Sequence, residues 1–230
     1  MYGDANADTF RPDYLITRAE GALVLARIFG LDYKNVKTIT TKYTDIDTTY
    51  EEAQKAITAA SEAGLINGYL EKDGTYTYRP NAKMTKAEFM KILACMVQEF
   101  GKDEDIDGLQ IKELDQLIKN YDDSKRYYIV NGERVNMHWA IEEVTLLARL
   151  NMLPLGDNYE EFELDENITR AEVAQLINFY LLRAPADVTS KTKTGFSDVS
   201  RKHELVGDII EATREAHTFS ITTDVTEVEE

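Results

Sequence analysis

The chain has a single cysteine, Cys95, in 230 residues. An intrachain disulfide is excluded, and so are CxxC zinc and redox motifs. Cys95 falls in an apolar helical run with Ile92, Leu93, Met96 and Val97, where a buried, inert thiol is expected. Prolines number four and tryptophans one, Trp139. No apolar stretch reaches the roughly 18 residues that span a bilayer, so membrane insertion is not expected. No signal peptide opens the chain, because Met1-Tyr2-Gly3-Asp4 is polar; the sequence reads as a cytosolic protein or a mature fragment. Cations are scarce too. Lys and Arg total 26 against 42 Asp and Glu, a formal net charge of −16. That balance excludes a general nucleic-acid binder, which needs a net basic face, and leaves room for a local basic pocket. The hydrophobic fraction of 43% is enough for a core.

Catalytic signatures are missing as well. GxSxG, the Walker loop, HExxH and GxGxxG do not occur. Residues Asp4 to Asp8 resemble the start of a calcium loop, but Thr9 and Leu15 stand where Gly and Glu are required, so no metal is expected. Asn167-Ile168-Thr169 is a formal glycosylation sequon, discounted because Thr169 reads as a helix cap. His138, His203 and His217 are too far apart in sequence for a local metal site. Nothing points to a carboxylate pair for glycoside hydrolysis. Neither an enzyme nor a cofactor is expected.

What the sequence does have is a recurring word. Ile16-Thr17-Arg18-Ala19-Glu20 returns as Met84-Thr85-Lys86-Ala87-Glu88 and as Ile168-Thr169-Arg170-Ala171-Glu172. Thr-x-x-Glu is a capping box, in which the Thr hydroxyl and the Glu carboxylate each accept from the other's backbone N–H. Apolar residues follow at helical spacing, so each word opens an amphipathic helix of about 13–16 residues. Phe10, Tyr78 and Phe162 precede the words, with Pro12 and Pro80 two residues further on; Leu164 replaces the third proline. Thr75-Tyr76-Thr77-Tyr78 reads as a short strand or turn, broken by the proline.

A second half-unit alternates with the first. Tyr43-Thr44-Asp45-Ile46 opens one copy and Phe196-Ser197-Asp198-Val199 another; the third carries His138-Trp139-Ala140. Each leads into a helix with one apolar face, and Gly64 stops the first. Word-bearing halves cover about 3–30, 71–100 and 157–183. The others cover about 43–68, 130–156 and 196–219. Three of each in alternation suggests a closed pseudo-threefold object. Residues 101–135 are an insertion, with an extra helix expected near 109–118 and a hairpin over 127–135 around Asn131-Gly132. Residues 184–195 read as a linker and 223–230 as an acidic tail. Residues 1–222 are expected to form one domain.

Phe-x-Asp-Val, His-Trp-Ala, Gly-[Leu/Ile]-x-x-Gly, the aromatic-x-Pro and Ile-Thr-Arg-Ala-Glu, in this order, resemble the S-layer homology domain. The resemblance covers about four fifths of the chain. It implies a mainly α fold, a pseudo-threefold helical spindle with short strands or hairpins, and here one insertion. It implies a non-catalytic module that anchors exported bacterial proteins to the cell wall or S-layer. The implied partner is a secondary cell wall polysaccharide, often pyruvylated, or a peptidoglycan-linked glycan. It is held in grooves between repeats near Arg18, Lys86 and Arg170. A structural module that self-associates, with degenerate grooves, is the alternative.

The residue chemistry fits an acidic glycan. Arg18 and Arg170 hold a carboxylate with two parallel hydrogen bonds, and Lys86 supplies a point charge. Each basic residue sits in a helix's first turn, where free N–H groups and the dipole favour an anion. Trp139 stacks on a sugar face if exposed and joins the core if not. Asp45 and Asp198 precede helices and are expected among the ligand-binding residues, with a structural turn or cap role as the other reading. The copies differ: Trp139 aligns with Glu52 and Leu205, and Gly64 with Asn151 and His217. One or two working grooves are expected rather than three.

Overall fold

The fold was analysed in a computed structural model, which describes residues 8–39, 41–100, 127–130, 133–136, 138–150, 152–153 and 164–214. The helix expected near 109–118, the hairpin turn at 131–132, Asn151, Phe162, His217, the loop start at 4–7 and the acidic tail lie outside these residues.

The described chain is mainly helical: α1 Arg18–Ile28, α2 Glu51–Glu62, α3 Lys86–Phe100, α4 Ile141–Arg149, α5 Arg170–Tyr180 and α6 Val206–Thr213. Two antiparallel hairpins join them. β1 Tyr69–Leu70 pairs with β2 Tyr76–Thr77, and β3 Tyr127–Val130 pairs with β4 Glu133–Asn136 in the register Val130↔Glu133. The pairing of β3 with β4 agrees with the hairpin read from the sequence.

All three words start helices as the capping box predicts. Thr17, Thr85 and Thr169 each accept from the Glu N–H three residues on, at 3.2 Å, and each Glu carboxylate accepts from the Thr N–H. Helix length departs from expectation. α1 and α5 are 11 residues and α3 is 15. Left-handed residues cut the first two short. Gly30 (φ 62°) follows α1, and Leu182 (φ 53°) follows α5. Each chain end then turns back, with Leu31 N donating to Ala26 O and Arg183 N to Asn178 O. Gly64 (φ 71°) ends α2 in the same way, with Leu65 N donating to Ala60 O.

The residues just before the three helices meet. Met84 N donates to Ile16 O, Ile16 N to Ile168 O, and Ile168 N to Met84 O, at 2.9–3.1 Å. The three segments thus close a ring of backbone hydrogen bonds. Ile16, Met84 and Ile168 are buried in the main core with Leu25, Ile57, Phe89, Leu93, Leu147 and Leu176. Each word-bearing helix packs on the helix of the other half-unit: α1 on α2, α3 on α4, α5 on α6. A smaller cluster of Phe10, Ala171, Ala174, Val199, Val206 and Ile209 lies under α5 and α6. Gly68 is required by close approach: a Cβ there would fall 2.2 Å from Thr77 O and 2.4 Å from the Tyr43 ring.

Between α5 and α6 the core carries a polar pair. Asn178 Nδ2 donates to Asp208 O at 3.0 Å and Asp208 Oδ1 at 3.1 Å. Asn178 Oδ1 is buried without a hydrogen-bond partner. Burial raises the Asp208 carboxyl above its ordinary range, opposed by the Asn178 hydrogen bond. A raised folded-state value means that ionised Asp208 weakens the fold, and that the penalty disappears as pH falls through the carboxylate range. Asp208→Asn removes the charge, keeps an acceptor for Asn178 Nδ2 and offers a donor to Oδ1. We expect it to stabilise the protein by about 1 kcal/mol at pH 7. The gain in melting temperature should shrink toward pH 3; a loss at neutral pH would show that the carboxylate is better satisfied than this geometry implies.

Candidate functional site

A groove of about 180 Å³ opens between the first two word-bearing segments. Arg18 comes from the start of α1, and Leu65, Ile66, Asn67 and Tyr69 from the turn after α2 into β1. Glu88, Lys91, Ile92 and Cys95 come from one face of α3, and Trp139 stands just before α4. Arg18 and Trp139, far apart in sequence, are therefore brought to one site.

Arg18 is deeply engaged, its side chain only 7% exposed. Nε donates to Tyr78 O at 2.9 Å, Nη1 to Glu88 Oε1 at 2.6 Å and Nη2 to Asn67 O at 3.3 Å. Its guanidinium lies 4.6 Å from the Tyr78 ring centroid and 5.0 Å from that of Tyr69. Glu88 also accepts from the Tyr69 hydroxyl and from Thr85 N. Burial, then the Glu88 hydrogen bond, raise the Tyr69 phenol, against the pull of Arg18. Complete burial raises the Tyr78 phenol further.

The other two basic positions follow the same logic with different partners. Lys86 Nζ lies 3.0 Å from Glu172 Oε1 and 3.4 Å from Glu166 Oε2. Burial alone would lower the Lys86 ammonium; the two carboxylates outweigh it and raise it. For Glu172, burial acts upward and is outweighed by its Thr169 and Lys86 hydrogen bonds, which hold it below the usual carboxylate range. Both Arg18 and Lys86 thus reach the capping Glu of the next word. Arg170 Nε donates to Phe10 O at 2.6 Å, and its guanidinium sits 4.9 Å from the Phe10 ring. This matches Arg18 over Tyr78, as the aromatic-x-Pro alignment requires.

The helix starts do not offer free amides, contrary to the sequence reading. Arg18 N and Ala19 N donate to Ala82 O and Pro80 O, Lys86 N and Ala87 N to Glu166 O and Leu164 O, and Arg170 N and Ala171 N to Tyr14 O and Pro12 O. With the capping boxes formed, the unpaired N–H groups of each first turn are taken by the chain itself. An anion at these helix starts has no backbone donors to use.

Asp45 and Asp198 are placed identically. Asp45 accepts from Tyr78 N and Arg79 N, both at 2.8 Å; Asp198 accepts from Phe10 N at 2.8 Å and Arg11 N at 2.7 Å. Arg79 (φ 57°) and Arg11 (φ 55°) are left-handed, so each carboxylate fastens a strained corner. Neither Asp lines the groove.

Trp139 is 51% exposed, which places it on the surface rather than in the core. Its alignment with the copy that begins at Phe196 moves by one residue. His138 Nδ1 accepts from Ala140 N while Nε2 meets Asp165 at 3.0 Å; His203 Nδ1 accepts from Leu205 N while Nε2 meets Asp13 at 3.4 Å. These matching pairs set Glu204, not Leu205, opposite Trp139. Cys95 is half-buried and lines the groove, so it is not a core residue. Sequence reasoning missed Lys91, Tyr69 and Asn67. Glu88, Lys91 and Cys95 at i, i+3 and i+7 share one helix face, which was the available signal. Among the described residues no His, Cys, Asp and Glu group is arranged to hold a metal, and no helix is long and apolar enough to cross a membrane.

Residues 42–90, from the strand-like segment before α2 to the first turn of α3, match the S-layer homology domain. The chain carries an S-layer homology domain. The matched S-layer homology window supplies Asp45, the Leu65–Tyr69 wall of the groove, Tyr78, Lys86 and Glu88. Over 206 residues the chain is 30% identical to cell surface glycoprotein 1 of Acetivibrio thermocellus, covering 88% of this chain and 8% of that protein. Over 204 residues it is 29% identical to the cellulosome-anchoring protein of the same organism, covering 88% of this chain and 39% of that protein. The chain therefore spans less than half the length of either relative.

Proposed function

We propose that this chain is a non-catalytic anchoring module of the bacterial cell surface. It binds an acidic secondary cell wall polysaccharide, pyruvylated sugars included, in grooves between repeats. The carrying observation is the Arg18–Trp139 groove: a half-exposed indole for a sugar face beside cationic and polar groups for an acid. The S-layer homology match and the name of the cellulosome-anchoring relative agree with a wall location outside the cell. The ring through Ile16, Met84 and Ile168 supports a pseudo-threefold spindle built as one domain over residues 1–222. In that spindle Arg18, Lys86 and Arg170 mark three corners, and Asp45 and Asp198 brace two of them. Only one groove combines Trp139 with such a corner, so the grooves are unequal.

The test is co-sedimentation of the 230-residue chain with purified walls before and after removal of the polysaccharide by acid. Retention on native walls only is the expected result. Trp139→Ala should reduce retention roughly two- to tenfold, since a stacked ring contributes about 0.5–1.5 kcal/mol, with melting unchanged. A Cys95 alkylation rate that falls when walls are added would place the ligand in this groove. The structural, self-associating reading is favoured by the engagement of Arg18 and Lys86 inside the protein. Oligomers in solution without retention on walls would select it.

A further inference from the structure

The groove's most obvious cation is already committed. All three Arg18 nitrogens donate to the protein itself, and little of the side chain meets solvent. Three of its five N–H donors are spent on the protein, and with the side chain only 7% exposed a ligand acid reaches the other two only by opening this network. Lys91 stands one turn further along α3 on the same wall. Its side chain is 42% exposed, its Nζ lies 5.4 Å from the Trp139 ring centroid, and its ion-pair partner is Glu143, at 3.3 Å. An ammonium has three donors, so this pair leaves Lys91 with donors to offer. Glu143 is itself only 17% exposed, so an incoming carboxylate joins it on the ammonium instead of displacing it.

We infer that Lys91, rather than Arg18, reads the acid on the bound glycan: a sugar-borne carboxylate meets Lys91 Nζ while the sugar's apolar face lies on Trp139. Glu143 holds the ammonium over the indole, and the ligand carboxylate takes the donors that this ion pair leaves. Arg18 is then a positioning residue, fixing Glu88, Tyr69 and Tyr78 behind the site. This inference rests on the wall-binding reading above and adds to it which residue supplies specificity.

The experiment compares the full chain with Lys91→Gln, Lys91→Arg and Trp139→Ala on three probes. These are native walls, walls after mild acid hydrolysis of ketal-linked carboxylates, and walls whose carboxyl groups have been chemically reduced. Lys91→Gln should bind native walls roughly tenfold more weakly than the parent chain, the loss of one charge-assisted contact. It should bind native and carboxylate-depleted walls equally, lose its sensitivity to salt, and stay folded at the assay temperature, with melting lowered modestly by the unpaired Glu143. Lys91→Arg should restore most of the preference. A Lys91-dependent preference that vanishes after mild acid assigns the carboxylate to a ketal; one that survives until reduction assigns it to a uronic acid. A Lys91→Gln chain that keeps the full preference for native walls, while Trp139→Ala loses binding, overturns the role of Lys91 and leaves the groove standing. A parent chain retained on none of the walls overturns the wall-binding reading itself.

Discussion

Arg18→Ala should unfold at a temperature roughly 10 °C below the parent chain, the largest drop expected of any substitution lining the groove. The arginine is held by three acceptors from three different segments. Truncation leaves Glu88 charged and mostly buried, with only Tyr69 and Thr85 to satisfy it, and leaves two backbone carbonyls short of a donor. Removing one partner of a buried pair typically costs about 3–5 kcal/mol, because the remaining charge is uncompensated. The two flanking tyrosine rings lose their cation as well, worth roughly another 1 kcal/mol. Arg18→Lys keeps the charge but not the planar fork, so one ammonium must serve acceptors that three nitrogens now share. Its melting temperature should fall between the two. Circular dichroism during heating checks both variants, and an Arg18→Ala chain that melts like its parent would show that the network contributes no net stability.

This expectation changes how loss of binding must be read. An Arg18→Ala chain that fails to sediment with walls has lost its groove along with its arginine. Trp139 and Lys91, both substantially exposed, allow cleaner substitutions.

The difference between Arg18 and Trp139 also marks where sequence reasoning reaches its range. Capping boxes at Thr17, Thr85 and Thr169 depend on residues three apart, and they formed as read. The stop at Gly64 and the strand pairing of residues 127–130 with 133–136 are equally local. The helix-start amides were misjudged because their acceptors come from elsewhere: Ala82 and Pro80 serve α1, and Tyr14 and Pro12 serve α5. Each lies more than sixty residues from its donor, and no local pattern encodes that partner. Arg18 was recognisable as a corner residue, yet its inward direction is set by Tyr78 O, Asn67 O and Glu88 together. The off-by-one alignment of Trp139 has a similar cause. The half-units share too few letters to fix the register, whereas the paired hydrogen bonds of His138 and His203 fix it. Lys91 went unread because a lysine on an amphipathic helix resembles any solvated position until Trp139 is placed beside it.

Asp45→Ala and Asp198→Ala should each destabilise the fold by about 3 kcal/mol, two charge-assisted hydrogen bonds being lost from adjacent amides. The carboxylates do more than satisfy N–H groups. Arg79 and Arg11 occupy the left-handed region at a cost of roughly 1 kcal/mol or more each, and the Asp oxygens hold them there. Asparagine is a poor substitute at either site. It offers one acceptor oxygen where two neighbouring N–H groups need one each, and it turns an NH2 toward the second. Asp45→Asn should therefore lose nearly as much as Asp45→Ala, an outcome that separates a two-oxygen clamp from a simple cap. A fully tolerated Asp45→Asn would refute the clamp. The two positions should part on function. Asp45 fixes Tyr78, whose carbonyl receives Arg18 Nε beside the groove, so its loss should weaken wall retention as well as melting. Asp198 fixes Phe10, whose carbonyl receives Arg170 Nε at a different corner. At a temperature where both variants remain folded, Asp198→Ala should keep the retention that depends on Lys91 and Trp139. Equal loss in both would mean that the corners act together on the wall polymer, not that one groove carries the binding.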